Sequence, residues 1–127
     1  MKIIGAGVDI VENSRIKKSI LNKSFLYRVF TKEEISISKK TKNKVNYFAK
    51  RFAAKEAFVK SLGTGFRNNF NFKDISVIND KLGKPSFFIT KKIKNMIKKK
   101  FNTSNFAFFL SISDEKKYSI AFVILQK

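Results

Sequence analysis

The chain has 127 residues, which is enough for one domain with a modest hydrophobic core. It contains no His and no Cys, which excludes Ser-His and Cys-His nucleophiles, zinc sites built on those residues, and disulfides. Any chemistry therefore uses carboxylates, lysines, hydroxyls, backbone amides or a metal ion held by oxygen.

The formal net charge of +19, from 28 basic and 9 acidic residues, favours polyanionic partners. Compositional drift explains the charge equally well, because Lys, Asn, Ile and Phe make up about half of the sequence and only four of the basic residues are Arg. The charge by itself therefore does not predict nucleic-acid binding.

No apolar stretch approaches the roughly 18 residues that a membrane span needs. The first ten residues are too short for a signal peptide, and Asp9 and Glu12 interrupt them too soon. We therefore expect a cytoplasmic protein that has no membrane association.

Predicted elements begin with a buried β-branched strand over residues 3–11. Asn13 is then a plausible N-cap for a helix over 14–22. The capping-box sequence Thr31–Glu34 predicts another short helix, and residues 36–46 are polar and read as an exposed connection.

Residues 45–62 carry the strongest periodic signal, with apolar side chains at helical spacing and Gly63 in the position of a C-terminal cap. After this central helix, Thr90 is expected to cap a basic amphipathic helix. The remaining apolar runs predict two antiparallel hairpins, formed by strands 75–79 and 86–89 and by strands 106–113 and 118–125. We predict a single α+β domain, residues 1–127, in which an antiparallel sheet packs on the long central helix.

Two carboxylates do not fit a purely structural role. Glu56 falls in the middle of the apolar stripe of the central helix, where a lone carboxylate is unfavourable unless it is paired or binds a metal. The alternative is a partly buried ion pair with Lys60, four residues further along the helix. Asp9 interrupts an apolar strand just before a predicted helix, where it either contributes to a ligand site or caps the next turn.

Together these residues suggest Mg²⁺, which typically binds one or two carboxylates, substrate phosphates and water. Lys60 and the backbone amides of residues 63–65 would suit a diphosphate. The sequence therefore favours Mg²⁺-assisted phosphoryl chemistry.

Motifs along nearly the whole chain, in order, resemble the holo-[acyl-carrier-protein] synthases of the 4′-phosphopantetheinyl transferase superfamily. The block RFAAKEA at residues 51–57, with Lys60 and the GTG at 63–65, carries most of the resemblance. The other matching segments are GVDIVE at 7–12 with Arg15, FTKEE at 30–34, GKP at 83–85, SIS at 111–113 and YSIA at 118–121.

The resemblance implies transfer of 4′-phosphopantetheine from coenzyme A to a serine of apo acyl carrier protein, in support of fatty-acid biosynthesis. Adenosine 3′,5′-bisphosphate would be released. It also implies Mg²⁺ dependence and a homotrimer with sites between neighbouring subunits. The acidic carrier protein would give the basic surface a partner, without a need for nucleic acid.

The resemblance also assigns roles by motif. Asp9 and Glu56 correspond to Mg²⁺ ligands and, with Lys60 near the diphosphate, to the catalytic residues. The coenzyme-binding positions are Arg51, Lys60, Gly63, Thr64, Lys84 and Pro85. Those facing the carrier protein are Arg15 and Lys18, on the first helix.

The chain departs from the family at two positions. Phe109 and Asp114 stand where many members carry histidines, so the binding roles of those histidines do not transfer. Glu34 matches a family carboxylate, but its place in the capping box already explains it. The general base is therefore left open between Glu34, Glu56 and a metal-bound water.

An alternative from another class is a small basic RNA-binding or ribosome-associated module. It would use the Lys-rich helix over 91–100 as its electrostatic surface and Phe side chains for base stacking. Most Phe residues, however, lie at core-periodic positions, and the chain lacks the sequence signatures of common RNA-binding domains.

Overall fold

A long central helix packs against an antiparallel three-stranded sheet in the computed structural model, which describes residues 1–63, 65–66 and 69–127. The strands are β1 (Ile3–Glu12), β2 (Ser76–Asn79), β3 (Pro85–Phe88), β4 (Ala107–Asp114) and β5 (Tyr118–Gln126). The helices are α1 (Asn13–Ser19), α2 (Lys23–Val29), α3 (Lys32–Ser38), α4 (Lys44–Leu62) and α5 (Lys91–Phe101), with a short 3-10 helix at Phe72–Asp74. The predicted α+β class, with its antiparallel sheet on a central helix, is confirmed.

Strand β5 lies between β1 and β4 in the larger sheet, and β2 and β3 form a separate two-stranded sheet. Side chains alternate between the two faces of a strand. In β1, Val11 is buried, Asp9 is partly buried, and Val8 and Ile10 are 54% and 60% exposed on the other face. Asp9 therefore belongs to the face that packs on α4.

Strand β1 lies directly on the backbone of α4 because two of its residues are glycines. A Cβ atom at Gly5 would overlap the carbonyl oxygen of Ser61, and one at Gly7 would overlap that of Ala57. Only glycine permits such a close approach of strand and helix. This contact brings the end of β1 alongside the C-terminal half of α4.

Aromatic packing joins the helix to both sheets. The ring of Phe58 on α4 is fully buried, stacks on Phe108 of β4 at 4.4 Å between centroids, and meets Phe87 of β3 edge-on at 4.8 Å. Such contacts add to the free energy gained by burying the rings. One core therefore contains side chains from α4 and from both sheets.

Three of the predicted helix caps are confirmed. Thr31 and Glu34 form both halves of a capping box at the start of α3. Gly63 ends α4 in the left-handed conformation, with φ of 79°. Thr90 accepts a hydrogen bond from the amide of Ile93 at the start of α5.

The prediction that Asn13 caps the first helix is wrong. Glu12 occupies the N-cap position without a side-chain cap bond, and Asn13 is the first helical residue. The Asn13 amide instead donates to the carbonyl oxygens of Glu115 and Lys116, and its oxygen accepts from Ser119. The side chain is used to join α1 to the β4–β5 hairpin.

The helical segments before α4 also differ from expectation. Helix α1 ends at Ser19 rather than at residue 22, and Asn22 caps the unpredicted helix α2. The connection before α4 is shorter than 36–46, since α3 continues to Ser38 and α4 begins at Lys44. Within the described part of the chain, none of the helices has the length and apolar character that crossing a bilayer requires.

Candidate active site

Asp9 and Lys60 meet where β1 crosses α4. The Lys60 ammonium donates to Asp9 Oδ1 at 3.1 Å and to the carbonyl oxygen of Val8 at 3.0 Å. The Lys60 side chain is 54% exposed and that of Asp9 is 16% exposed. The lysine therefore lies at the rim of the site, and among the described residues two of its three N–H donors have acceptors.

Glu56 lies one turn before Lys60 and is half-buried. Burial raises the pKa of Glu56 above its ordinary value, and the charge of Asp9 raises it further, while Lys60 lowers it. The Asp9 carboxylate therefore lies close enough to act on Glu56. The sequence alternative in which Lys60 is the ion-pair partner of Glu56 is wrong, because the salt bridge of Lys60 is to Asp9.

Two neighbouring cavities share Glu56 as a wall. The larger, of about 580 Å³, is bordered by Glu56, Val59, Lys60, Gly63, Gly65, Phe66 and Phe72. The smaller, of about 300 Å³, is bordered by Asp9, Ile10, Val11, Arg15, Ile16, Ser19, Phe25, Phe52 and Glu56. Glu56 therefore stands at the junction of the two cavities, with Lys60 in the wall of the larger and Asp9 in the wall of the smaller.

The larger cavity combines polar and aromatic walls. Gly63 and Gly65 both have positive φ, a backbone conformation that glycine adopts without strain. The ring of Phe72 approaches Phe66 at 4.3 Å and stacks on Phe52 at 5.6 Å. The cavity therefore has charged side chains at Glu56 and Lys60 and aromatic rings at Phe66 and Phe72.

Arg51 does not join this group. It borders a separate cavity of about 130 Å³ with Pro85, Asn79 and Asp114. Its guanidinium donates to Asn79 Oδ1 at 2.6 Å and lies 3.7 Å from the centre of the Tyr47 ring. Positions 51 and 56 point about 140° apart around a helix, so one chain does not bring them together.

Of the four other positions expected to bind the coenzyme, the three that the structure describes do not all lie together. Gly63 borders the larger cavity, whereas Pro85 borders the Arg51 cavity. Lys84 precedes β3 rather than lying within it, in a turn where its amide donates to Asp80. Thr64 lies outside the described residues.

Residues expected to meet the carrier protein lie on α1. Arg15 is exposed and borders the smaller cavity beside Asp9 and Glu56. Lys18 is exposed on the same helix and does not border that cavity.

Glu34 is an internal structural residue and not part of the cavity walls. Its side chain is 1% exposed and accepts a hydrogen bond from the fully buried Lys55 at 2.6 Å. Sequence reasoning missed Lys55. Its spacing provided a signal, because position 55 falls seven residues after Phe48 and four before Val59 in the apolar stripe of α4.

The two positions that depart from the family lie apart. Phe109 is 52% exposed on the outer face of the sheet. Asp114 accepts a hydrogen bond from Asn46 at 2.9 Å and borders the Arg51 cavity. The side chain of Asp114 therefore borders the same cavity as Arg51.

The donor set at the cavity junction fits a magnesium ion. Among the described residues, no group of three or more His, Cys, Asp or Glu side chains could hold a metal. Two carboxylates nevertheless suffice when substrate phosphates and water complete the shell. Burial is the main cause of the raised pKa of Glu56, and the charge of Asp9 adds to it; a divalent cation would offset both effects.

Comparison with known proteins identifies the family of this chain. The sequence profile of the 4′-phosphopantetheinyl transferase superfamily matches residues 5–123. The chain belongs to this superfamily. It is an enzyme of the holo-[acyl-carrier-protein] synthase group, whose member from Pelagibacter ubique is 67% identical over 100% of this chain and 99% of the relative. The synthase of Zymomonas mobilis is 44% identical over 98% of this chain and 96% of its own.

Solved structures of synthases share the fold. The Neisseria meningitidis synthase is 38% identical and superimposes with a TM-score of 0.87, covering 98% of this chain and 99% of its own. The Bacillus anthracis synthase, solved in complex with CoA (3′,5′-ADP), is 35% identical with a TM-score of 0.80, covering 98% and 97%. The architecture described above is therefore that of the synthase family.

Proposed function

We propose that this chain transfers 4′-phosphopantetheine from coenzyme A to a serine of apo acyl carrier protein, using Mg²⁺, with residues 1–127 acting as one transferase domain. The serine oxygen forms a bond to the phosphorus that carries the pantetheine, and the diphosphate P–O bond breaks. Adenosine 3′,5′-bisphosphate leaves. The observation that carries this proposal is the meeting of Asp9, Glu56 and Lys60 between two cavities.

Charge and alignment are what this reaction demands of the protein. Asp9 and Glu56 would hold Mg²⁺, which when bound offsets the charge of the diphosphate and of its leaving group. Lys60, more than half exposed, can donate to a phosphate oxygen. The position of Glu56 between both cavities supports Glu56, or a water bound to the metal, as the acceptor of the serine proton, whereas Glu34 is buried away from both cavities.

The smaller cavity supports a role in receiving the carrier protein. Arg15 stands at this cavity beside Asp9, and Lys17 and Lys18 are exposed further along the same short helix. Acyl carrier proteins are acidic, so these cations can steer the approach of the serine to the metal site.

Self-association into a homotrimer is supported by the outer face of the larger sheet. Five apolar side chains, each at least 39% exposed, occupy this face: Val8, Ile10, Phe109, Ile120 and Phe122. Contiguous exposed apolar surface of this kind typically marks a protein interface. A neighbouring copy could then add its Arg51 cavity to the Asp9–Glu56 site of the first, completing the coenzyme site.

Mixing two inactive variants tests that arrangement. Glu56→Gln and Arg51→Ala should each lose transfer, and their mixture should regain part of it if one site draws on two chains. Light scattering of Phe122→Glu should report a smaller particle than the wild type. A mixture without recovered activity, or a wild type that is monomeric, contradicts the shared site.

Family membership supports a role in fatty-acid biosynthesis in the cytoplasm, the process that would consume the modified carrier. The decisive experiment incubates the chain with coenzyme A, apo carrier protein and Mg²⁺, and then weighs the carrier. The carrier should gain one phosphopantetheine group, and none should appear with a chelator or with a carrier whose serine is replaced by alanine. An unmodified carrier with Mg²⁺ present would remove the proposal.

A further inference from the structure

Lys55 is a cation enclosed within the protein. Its side chain is fully buried, and its ammonium donates to three oxygens. These are the carbonyl oxygen of Val29 at 2.8 Å, Oε1 of Glu34 at 2.6 Å and the carbonyl oxygen of Phe72 at 3.3 Å. All three N–H donors of the ammonium are therefore used inside the protein.

Glu34 extends this network to further elements. Its Oε1 also accepts from the amide of Thr31 at 2.9 Å, and its Oε2 accepts from the amide of Val77 at 3.0 Å. The Lys55–Glu34 pair therefore joins α4 to the end of α2, the start of α3, strand β2 and the 3-10 helix at Phe72–Asp74. Neither side chain borders a cavity of the candidate site.

Phe72 connects the network to the site. Its carbonyl oxygen is bound by Lys55, while its ring borders the larger cavity with Glu56 and Lys60. Lys55 and Glu56 are adjacent in sequence, so one turn of α4 holds a carboxylate of the site and the anchor of the opposite wall. Stacking on Phe52 of the same helix adds a second link.

Stability alone does not account for such a pair. Replacing a buried ion pair by apolar residues is often neutral or stabilising, because removing two charges from water offsets their attraction. The pair does specify where a backbone carbonyl must lie, which apolar packing does not do.

We propose that Lys55 and Glu34 are positioning residues that hold the Phe72 wall at the separation from Glu56 and Lys60 at which the larger cavity admits coenzyme A. The inference rests on the proposed function for the identity of the ligand. The geometric part, that the pair anchors the 3-10 segment, stands on the hydrogen bonds alone.

The test removes the pair while keeping its shape. The double variant Lys55→Met, Glu34→Gln removes both charges of the pair, and the oxygen of the Gln side chain can still accept from the amide of Thr31 or Val77. We expect KM and Kd for coenzyme A to rise about tenfold or more, with kcat and the KM for the carrier protein within about threefold of wild type. Lys44→Met, which removes an exposed lysine from the same helix, is the matched control and should change neither constant.

Hydrogen–deuterium exchange reports whether the ion pair stabilises the 3-10 helix, and it does not depend on enzyme activity. The amides of Asp74 and Ile75, which close the 3-10 helix, should exchange faster in the double variant, and those in the middle of α4 should not. A folded double variant with unchanged exchange and unchanged coenzyme affinity overturns the inference.

A second variant covers the case in which the double variant does not fold. Phe72→Ala removes a half-buried ring and leaves the ion pair intact. It should raise Kd for coenzyme A by a similar factor, and an unchanged Kd would overturn the inference by itself. Absence of transfer by the wild type would contradict the proposed function instead, and the exchange result would still decide whether the pair anchors the wall.

Discussion

Two lysines five residues apart on α4 form ion pairs of opposite character. The Lys55–Glu34 pair, at 2.6 Å, is 0% and 1% exposed, and the Lys60–Asp9 pair, at 3.1 Å, is 54% and 16% exposed. The first pair is surrounded by backbone partners that occupy its donors and acceptors, so it organises the fold. The second lies at a cavity rim and can exchange partners with a ligand. The extent of burial, rather than the residue type, therefore distinguishes the structural lysine from the candidate site lysine in this helix.

The largest expected difference between the two ion pairs is the loss of protein stability when the lysine of each pair is replaced. Lys55→Met leaves the Glu34 carboxylate buried and unpaired, which we expect to lower the free energy of unfolding by about 3–5 kcal/mol. Lys60→Met breaks an exposed pair and should lower it by no more than about 1 kcal/mol. Urea denaturation of both variants measures the difference, and equal losses would contradict the comparison.

The transfer rate, unlike stability, should depend more on the exposed pair than on the buried one. The first test replaces the carboxylate of the exposed pair. Asp9→Asn keeps the shape of the side chain but removes the charge that would hold Mg²⁺. We expect the transfer rate to fall on the order of 100-fold or more, while circular dichroism and the melting temperature stay close to wild type. Near-native turnover at saturating Mg²⁺ would remove Asp9 from the metal site.

Lys60→Met tests whether the lysine acts on the diphosphate or only on Asp9. If it offsets charge that develops in the transition state, kcat should fall about 10-fold or more, with a smaller change in Kd for coenzyme A. Steady-state kinetics and calorimetry on one preparation provide both numbers. A lysine that serves only Asp9 would leave kcat within about twofold of wild type.

The raised pKa of Glu56 should have a smaller effect, on how the stability of the protein changes with pH. Because the folded protein holds this proton more tightly than the unfolded chain, ionisation of Glu56 disfavours the folded form as the pH rises from about 4.5 through the raised pKa. Glu56→Gln should therefore melt a few degrees higher than wild type near pH 8, measured with a chelator, and at the same temperature below pH 4. A difference that does not vary with pH would contradict the raised pKa.

The smallest effect concerns the partner surface. Arg15→Glu should raise the KM for the carrier protein several-fold at low salt and weaken its salt dependence, with coenzyme A affinity unchanged, because exposed charges mainly steer encounter. Arg28→Glu, on α2 and outside the described cavities, is the matched control. An unchanged carrier KM at low salt would support compositional drift as the origin of the basic charge.

Local sequence signals predicted most of the secondary structure. These signals depend on interactions within three to nine residues, so the local sequence is enough to predict them. Examples are the capping box at Thr31, the glycine at position 63 and the alternating strands. Asn13 shows the limit. Its side chain suits a helix N-cap, yet contacts with residues more than 100 positions away gave it another use.

The same division holds for the candidate site. The sequence by itself determined the α+β fold class, the family, and the choice of Asp9, Glu56 and Lys60 as candidate site residues, because spacing and motifs can be read directly from the order of residues. Only the tertiary structure decided that Lys60 pairs with Asp9, that Lys55 is enclosed with Glu34, and that Arg51 borders another cavity. Helical periodicity specifies the direction of a side chain but not its partner, which depends on how closely β1 and the 3-10 segment pack on α4.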